Sequence, residues 1–189
     1  MLRLLFLCLF AVAFAQKEFL VWHCLERCQD DVPALLRQVK EHRDIFTEVS
    51  FELFNIGPNS TLLVDSEDEG LTDPSDFYDS MKLPAYPMIS SYPPERRCVT
   101  EWTRQLIKNP QPFVDAIVNV TKRYRGIQVD IEPSWTTLED GPGYIDFLNL
   151  LSREMHKRGK KVVVAVASWV CLSLFQLTLC HNVRFHCSR

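Results

Sequence analysis

The constraint that most limits this chain is an alternation of two apolar patterns. Short apolar runs with strand character occur at Lys17–His23, Phe46–Ile56, Lys82–Ser91, Gly126–Glu132 and Val162–Ala167. Between them lie helical stripes. Val32, Leu35, Leu36 and Val39 recur at i, i+3, i+4 and i+7, with Asp30 or Asp31 as cap and Pro33 in the first turn. Phe113, Ala116, Ile117, Val120 and Tyr124 form a second stripe, opened by Asn109-Pro110. Tyr144, Phe147, Leu148, Leu151 and Met155 form a third, closed by Gly159 after Lys157 and Arg158. Pro84 and Pro87 suit the start of their strand better than its middle. The polar stretch Asn59–Ser80 reads as a solvated loop with a short helix after Pro74, and Tyr92-Pro93-Pro94 as a turn. Apolar strands separated by amphipathic helices form a parallel sheet covered by helices, an α/β fold. Five strands fit either an open doubly wound sheet or part of an eight-stranded (β/α) barrel. Neither GxGxxG after the first strand nor GxxxxGK[ST] occurs, so the phosphate loops of nucleotide-binding versions are missing.

The N-terminus reads as a secretory signal peptide, Met1–Ala15. Arg3 supplies the basic end, Leu4–Val12 the apolar run, and Ala13-Phe14-Ala15 the cleavage pattern. The expected location is therefore extracellular or the lumen of the secretory pathway, lysosome included. Cleavage removes Cys8 and leaves Cys24, Cys28, Cys98, Cys171, Cys180 and Cys187, which a secreted route permits to form disulfides of undetermined pairing. Asn59-Ser60-Thr61 and Asn119-Val120-Thr121 are glycosylation sequons, making Asn59 and Asn119 candidate glycan carriers. With 47% hydrophobic residues and 24% charged, the 189-residue chain is globular in composition. Its net charge of −3 leaves no overall electrostatic footprint for nucleic acid.

Chemistry concentrates on the fourth strand. Gln128, Asp130 and Glu132 lie at i, i+2 and i+4 and share one face, while Ile127, Val129 and Ile131 make the other face apolar. Two carboxylates on an inward face require a shared proton or hydrogen bonds, and like-charge proximity holds one of them protonated and able to donate. At the C-terminal end of a barrel strand, Glu132 stands where active sites are built.

The segment Tyr124-Arg125-Gly126-Ile127-Gln128-Val129-Asp130-Ile131-Glu132 resembles the fourth-strand signature of glycoside hydrolase family 18, the chitinases and chitobiases, written DxxDxDxE with Gly after the first Asp. Gly126, Asp130 and Glu132 match it; Arg125 and Gln128 replace the first two acids. Ala165-Val166-Ala167-Ser168-Trp169 is similar to the fifth strand of chitobiase-like members. The resemblance covers about Lys17–Trp169 and implies a partial (β/α)8 barrel of about the first five βα units. It further implies substrate-assisted, retaining hydrolysis of β-linked N-acetylglucosamine glycans. Glu132 would protonate the glycosidic oxygen and later activate water; Asp130 would orient the attacking 2-acetamido group. Gln128 can hydrogen-bond Asp130 but cannot exchange a proton with it. Trp22, Tyr92, Trp135 and Trp169, near predicted strand ends, are candidate stacking platforms for sugar rings. No cofactor and no metal is implied, and the expected partner is a carbohydrate.

The last segment fits none of this. Val170–Arg189 contains no Asp, Glu, Lys, Gly or Pro, yet holds three of the seven cysteines. Its Cys171, Cys180, His181, His186 and Cys187 match no standard zinc spacing. Val162–Cys180 is uncharged and long enough for a membrane span, but Lys157, Arg158, Lys160 and Lys161 would precede it on the lumenal side, against the positive-inside bias, so no stable span is expected. The tail reads as aberrant, giving the division Met1–Ala15 signal, Gln16–Trp169 partial barrel and Val170–Arg189 foreign sequence. A barrel stopped at its fifth strand would leave apolar edges open and is expected to be unstable and inactive. Two other readings stand beside the glycosidase: a chitinase-like lectin that binds without cleaving, and a non-functional truncated product.

Overall fold

The apolar runs become parallel strands joined by helices in a computed structural model that describes residues 18–25, 31–64, 73–91, 99–131, 140–167 and 183–188. In chain order the elements are β1 (Leu20–His23), α1 (Val32–Glu41), β2 (Glu48–Ile56), β3 (Leu62–Val64), α2 (Ser75–Ser80), β4 (Ala85–Ser90), α3 (Val99–Lys108), α4 (Gln111–Val120), β5 (Gly126–Asp130), α5 (Asp140–His156), β6 (Lys161–Ala167) and β7 (Val183–Ser188). The sheet runs β1-β2-β4-β5-β6-β7, every neighbour parallel, with β3 antiparallel on β2. Apart from the β3 hairpin, strands follow one another in chain order. A doubly wound sheet reverses order at a switch point; this one does not, and it curls as part of a (β/α) barrel.

Side-chain alternation sorts each strand into two faces. The outward set Val49, Phe51, Ile89, Ile127, Val129, Ile131, Val162 and Val164 is buried beneath the helices, in one cluster with Val39, Leu106, Phe113, Ile117, Phe147, Leu151 and Met155. Phe113 of α4 meets Phe147 of α5 edge to face at 5.9 Å, which locks the two helices that flank β5. The Asp31 carboxylate caps α1 by accepting from the Ala34 amide at 3.2 Å. Gly159 takes φ +68° after α5, and the Lys160 amide reaches back to the Met155 carbonyl at 3.1 Å.

Four features depart from the sequence reading. The polar stretch after β2 holds β3, a three-residue strand paired to the end of β2. The helix α3 precedes α4, burying Val99, Thr103 and Leu106. Pro87 sits within β4 opposite Phe51, yet β4 pairs with β5 only from Met88 onward, so the missing N–H falls before the two-sided stretch. The outer edge of the fifth barrel strand, expected to lie open, carries β7 from the tail, in register from Val162↔Val183 to Ala167↔Ser188. Among the described residues no helix is long and apolar enough to cross a membrane.

Candidate active site

Strand register defines the inner surface of the curled sheet. Gln128 of β5 lies beside Met88 of β4, which lies beside Glu52 of β2; on the other side Gln128 adjoins Val163 of β6. One step toward the strand ends, Asp130 adjoins Ser90, and Ser90 adjoins Asn55. Toward the strand starts, Ser50 pairs with both Trp22 and Tyr86. The inner positions mix the polar Ser50, Glu52, Asn55, Ser90, Gln128 and Asp130 with the apolar Trp22, Met88 and Val163, whereas the outer positions of the same strands are apolar. The segregation assigned from the fourth strand alone therefore extends across β2 and β4.

Asn55 reaches the inner face through an irregularity. Simple alternation from Glu48, Ser50 and Glu52 would place Phe54 inward. A register shift between Glu52 and Phe54 turns Phe54 out to face the helices and sets Asn55 beside Ser90. The result is a row Asn55–Ser90–Asp130 at the carboxyl ends of three adjacent strands, with Asn55 and Ser90 buried and Asp130 half-buried. That is the end at which barrel active sites are assembled.

Deeper in, the polar groups hold the scaffold. The Glu52 carboxylate accepts from the Leu25 amide at 3.0 Å and so anchors the chain leaving β1. Glu48 Oε1 accepts from the Tyr86 hydroxyl at 2.7 Å and from Lys161 Nζ at 2.5 Å, bridging β2, β4 and β6 near their starts. Burial, reinforced by the Glu48 hydrogen bond and charge, pushes the Tyr86 phenol well above its ordinary range, so Tyr86 remains the donor. Gln128 is buried, and its Oε1 accepts no hydrogen bond among the described residues. It offers an acceptor where the resembling signature places a carboxylate.

Of the predicted site residues, the fold brings Asp130 and Gln128 onto one inner face of β5. Trp22 is 46% exposed and lies three strands away, on the inner row of Ser50 and Tyr86, two inward steps from Asp130. Glu132, Tyr92, Trp135 and Trp169 lie outside the described residues. Asn59 is exposed in the Pro58–Ser60 turn at φ +53°. Asn119 is exposed on α4, accepting at Oδ1 from Lys122 Nζ at 2.7 Å, while Thr121 of its sequon is buried with its hydroxyl donating to the Ile117 carbonyl at 2.7 Å. Glu48, Ser50, Glu52, Asn55 and Ser90 were missed. The alternation Glu48/Ser50/Glu52 against Val49/Phe51/Leu53 is the signal that marks the first three.

No protein-family model matches the chain, and no curated protein sequence matches it either. Solved structures do. A chitinase from Chromobacterium violaceum superposes with a TM-score of 0.64 and 23% identity, over 78% of this chain and 45% of that one. The spore cortex-lytic enzyme SleL of Bacillus megaterium gives a TM-score of 0.67 at 17% identity, over 79% of this chain and 34% of that one. The second catalytic domain of the Group II chitinase of Ostrinia furnacalis, solved with penta-N-acetylchitooctaose, gives 0.59 at 15% identity, over 82% and 45%. The chain thus spans less than half the length of each of these proteins. Its fold is chitinase-like, a partial α/β barrel.

Proposed function

We propose that the chain is a secreted, glycoside hydrolase-like protein directed at β-linked N-acetylglucosamine glycans, using the retaining, substrate-assisted scheme. The observation that carries this reading is the row Asn55–Ser90–Asp130 at the carboxyl ends of parallel strands in a chitinase-like fold. In the proposed mechanism Asp130 orients the 2-acetamido group and stabilises the positive charge that develops as its oxygen attacks the anomeric carbon. Glu132, two residues further along the sequence, donates a proton to the leaving oxygen and then deprotonates the incoming water. Gln128 supplies a neutral amide below Asp130, which permits a hydrogen bond and excludes a proton relay. Trp22, Tyr92, Trp135 and Trp169 are proposed to offer sugar-stacking surfaces. The N-terminal segment supports a secretory route, and the exposure of Asn59 and Asn119 is compatible with their carrying glycans.

The chain spans under half of the chitinases it resembles, and turnover is proposed for a barrel that contains this segment. Replacement of an acid by Gln128 favours a second reading, a lectin that binds the same glycans without cleaving them. Hydrolysis of a labelled chitobioside, measured beside calorimetric binding, tests both. Under the first reading Glu132→Gln lowers turnover by roughly 10²–10⁴-fold and preserves binding. Turnover that does not respond to this substitution removes Glu132 from the mechanism; binding with no turnover in any barrel containing this segment establishes the lectin.

A further inference from the structure

The end of the sheet opposite Asp130 has a chemistry of its own. Lys122, Arg123 and Arg125 lead into β5, and Lys157, Arg158, Lys160 and Lys161 lead into β6; together they are seven of the 21 Lys and Arg in a chain of net charge −3. Neither stretch contains an acid. The fold sets the two side by side, because Gly126 and Lys161 are partners in the β5–β6 register. Lys160 Nζ donates to the Lys122 carbonyl at 3.1 Å and the Tyr124 carbonyl at 2.5 Å, and the Lys161 amide donates to the Arg125 carbonyl at 3.1 Å.

Counter-charges near these cations are few. Arg123 pairs with Asp76 at 2.9 Å and lies 3.6 Å from Asp73; Lys161 is taken up by Glu48. Lys157 and Arg158 share a single carboxylate, Glu154, at 2.7 and 3.2 Å. Among the described residues, Lys122, Arg125 and Lys160 have no carboxylate partner, and Lys160 is spent on the two carbonyls. Lys122, Arg125, Lys157 and Arg158 are exposed on these two neighbouring connections, with the single carboxylate of Glu154 paired among them.

We infer that this floor face docks an anionic polysaccharide, one whose sulfate or carboxylate groups recur along its length. Cations presented on two adjacent connections can meet successive anionic groups of one polymer, a multivalent contact that needs no deep pocket. A lipid surface fits less well. Bilayer-binding faces combine basic residues with apolar ones that enter the acyl boundary. Among the described residues the exposed large apolar side chains are Phe19 just before β1, Trp22 on β1, Ile45 in the turn before β2 and Val64 on β3, and none lies on these two connections. Binding here leaves the strand ends near Asp130 open, so the inference goes beyond the proposed glycosidase reading and stands apart from it.

The test measures binding of a heparin decasaccharide to the full chain, to Lys122→Ser/Arg125→Ser/Lys157→Ser/Arg158→Ser, and to a control with Arg37→Ser/Lys40→Ser on α1. Vesicles containing phosphatidylserine are titrated in parallel, and each variant is checked by its melting curve. The expected result is binding by the full chain that weakens steeply with salt, an approximately tenfold or greater loss in the quadruple variant, and no change in the control. Equal affinity of the quadruple variant, an equal loss in the control, or stronger binding to the vesicles than to the decasaccharide overturns the inference.

Discussion

Gly126→Ala is the smallest change that tests how β5 is held. A Cβ at this position would stand 2.2 Å from the Lys161 carbonyl oxygen and 2.9 Å from its carbon. Carbon and oxygen normally approach to no less than about 3.2 Å, so a separation of about 1 Å must open between β5 and β6. The obstacle is backbone, and no rotamer change relieves it. Overpacking of this kind costs about 1–3 kcal/mol, and loss of the adjacent Lys161 amide to Arg125 carbonyl bond adds about 1 kcal/mol. For a chain of this size the sum lowers the melting temperature by roughly 4–16 °C. Asp130 lies four residues along the same strand, so a strand shifted by about 1 Å also misplaces it, enough to cost about 100-fold in a positioned reaction. Circular dichroism melts of the parent and of Gly126→Ala measure the effect. Gly141→Ala is the control, because a Cβ there meets nothing within 4 Å and the residue lies in the first turn of α5. Melting of Gly126→Ala within error of the parent would refute the close-approach argument.

Three further perturbations follow from the packing. His23 is buried against the Tyr78 hydroxyl at 2.6 Å, and burial lowers its pKa below the ordinary value. The unfolded imidazole therefore takes up a proton first, near pH 6.5; stability should be level above about pH 7 and fall as pH drops through 6.5 toward the lowered native value, with a flatter profile in His23→Gln melts. Phe147→Ala empties a fully buried site in contact with Phe113 and Tyr144, and urea titration should show a loss of about 3–5 kcal/mol. Asp31→Ala removes the α1 cap, with an expected loss of about 1 kcal/mol in the same titration.

The barrel strands were legible because burial under helices makes their outer faces uniformly apolar. Ile127, Val129 and Ile131 announce β5 through period-two alternation with Gln128 and Asp130. The same alternation in β2 was masked, since Phe46–Ile56 reads as an apolar run unless Glu48, Ser50 and Glu52 are set against their neighbours. Asn55 was beyond any periodicity argument, for its inward direction depends on the register shift after Glu52. Three residues are too few for β3 to show a period, and β7 exists through pairing with β6 across the intervening chain, a long-range contact that local pattern does not encode. In α3 the apolar positions Val99, Trp102 and Leu106 are diluted by Thr103, which is buried with its hydroxyl on the Val99 carbonyl at 2.8 Å. The Asp130 side of the candidate site was therefore read from one strand, while the residues lining it came from two others.

Under the proposed function the Asp130 end of β5 recognises the acetamido group of N-acetylglucosamine. Calorimetric titration of the chain and of Asp130→Ala with N-acetylated and with fully deacetylated chitooligosaccharides of equal length tests it without relying on turnover. The parent is expected to bind the acetylated sugar more tightly, and Asp130→Ala to erase that preference. Equal binding of the two sugars by the parent, or an unchanged preference in Asp130→Ala, would contradict it.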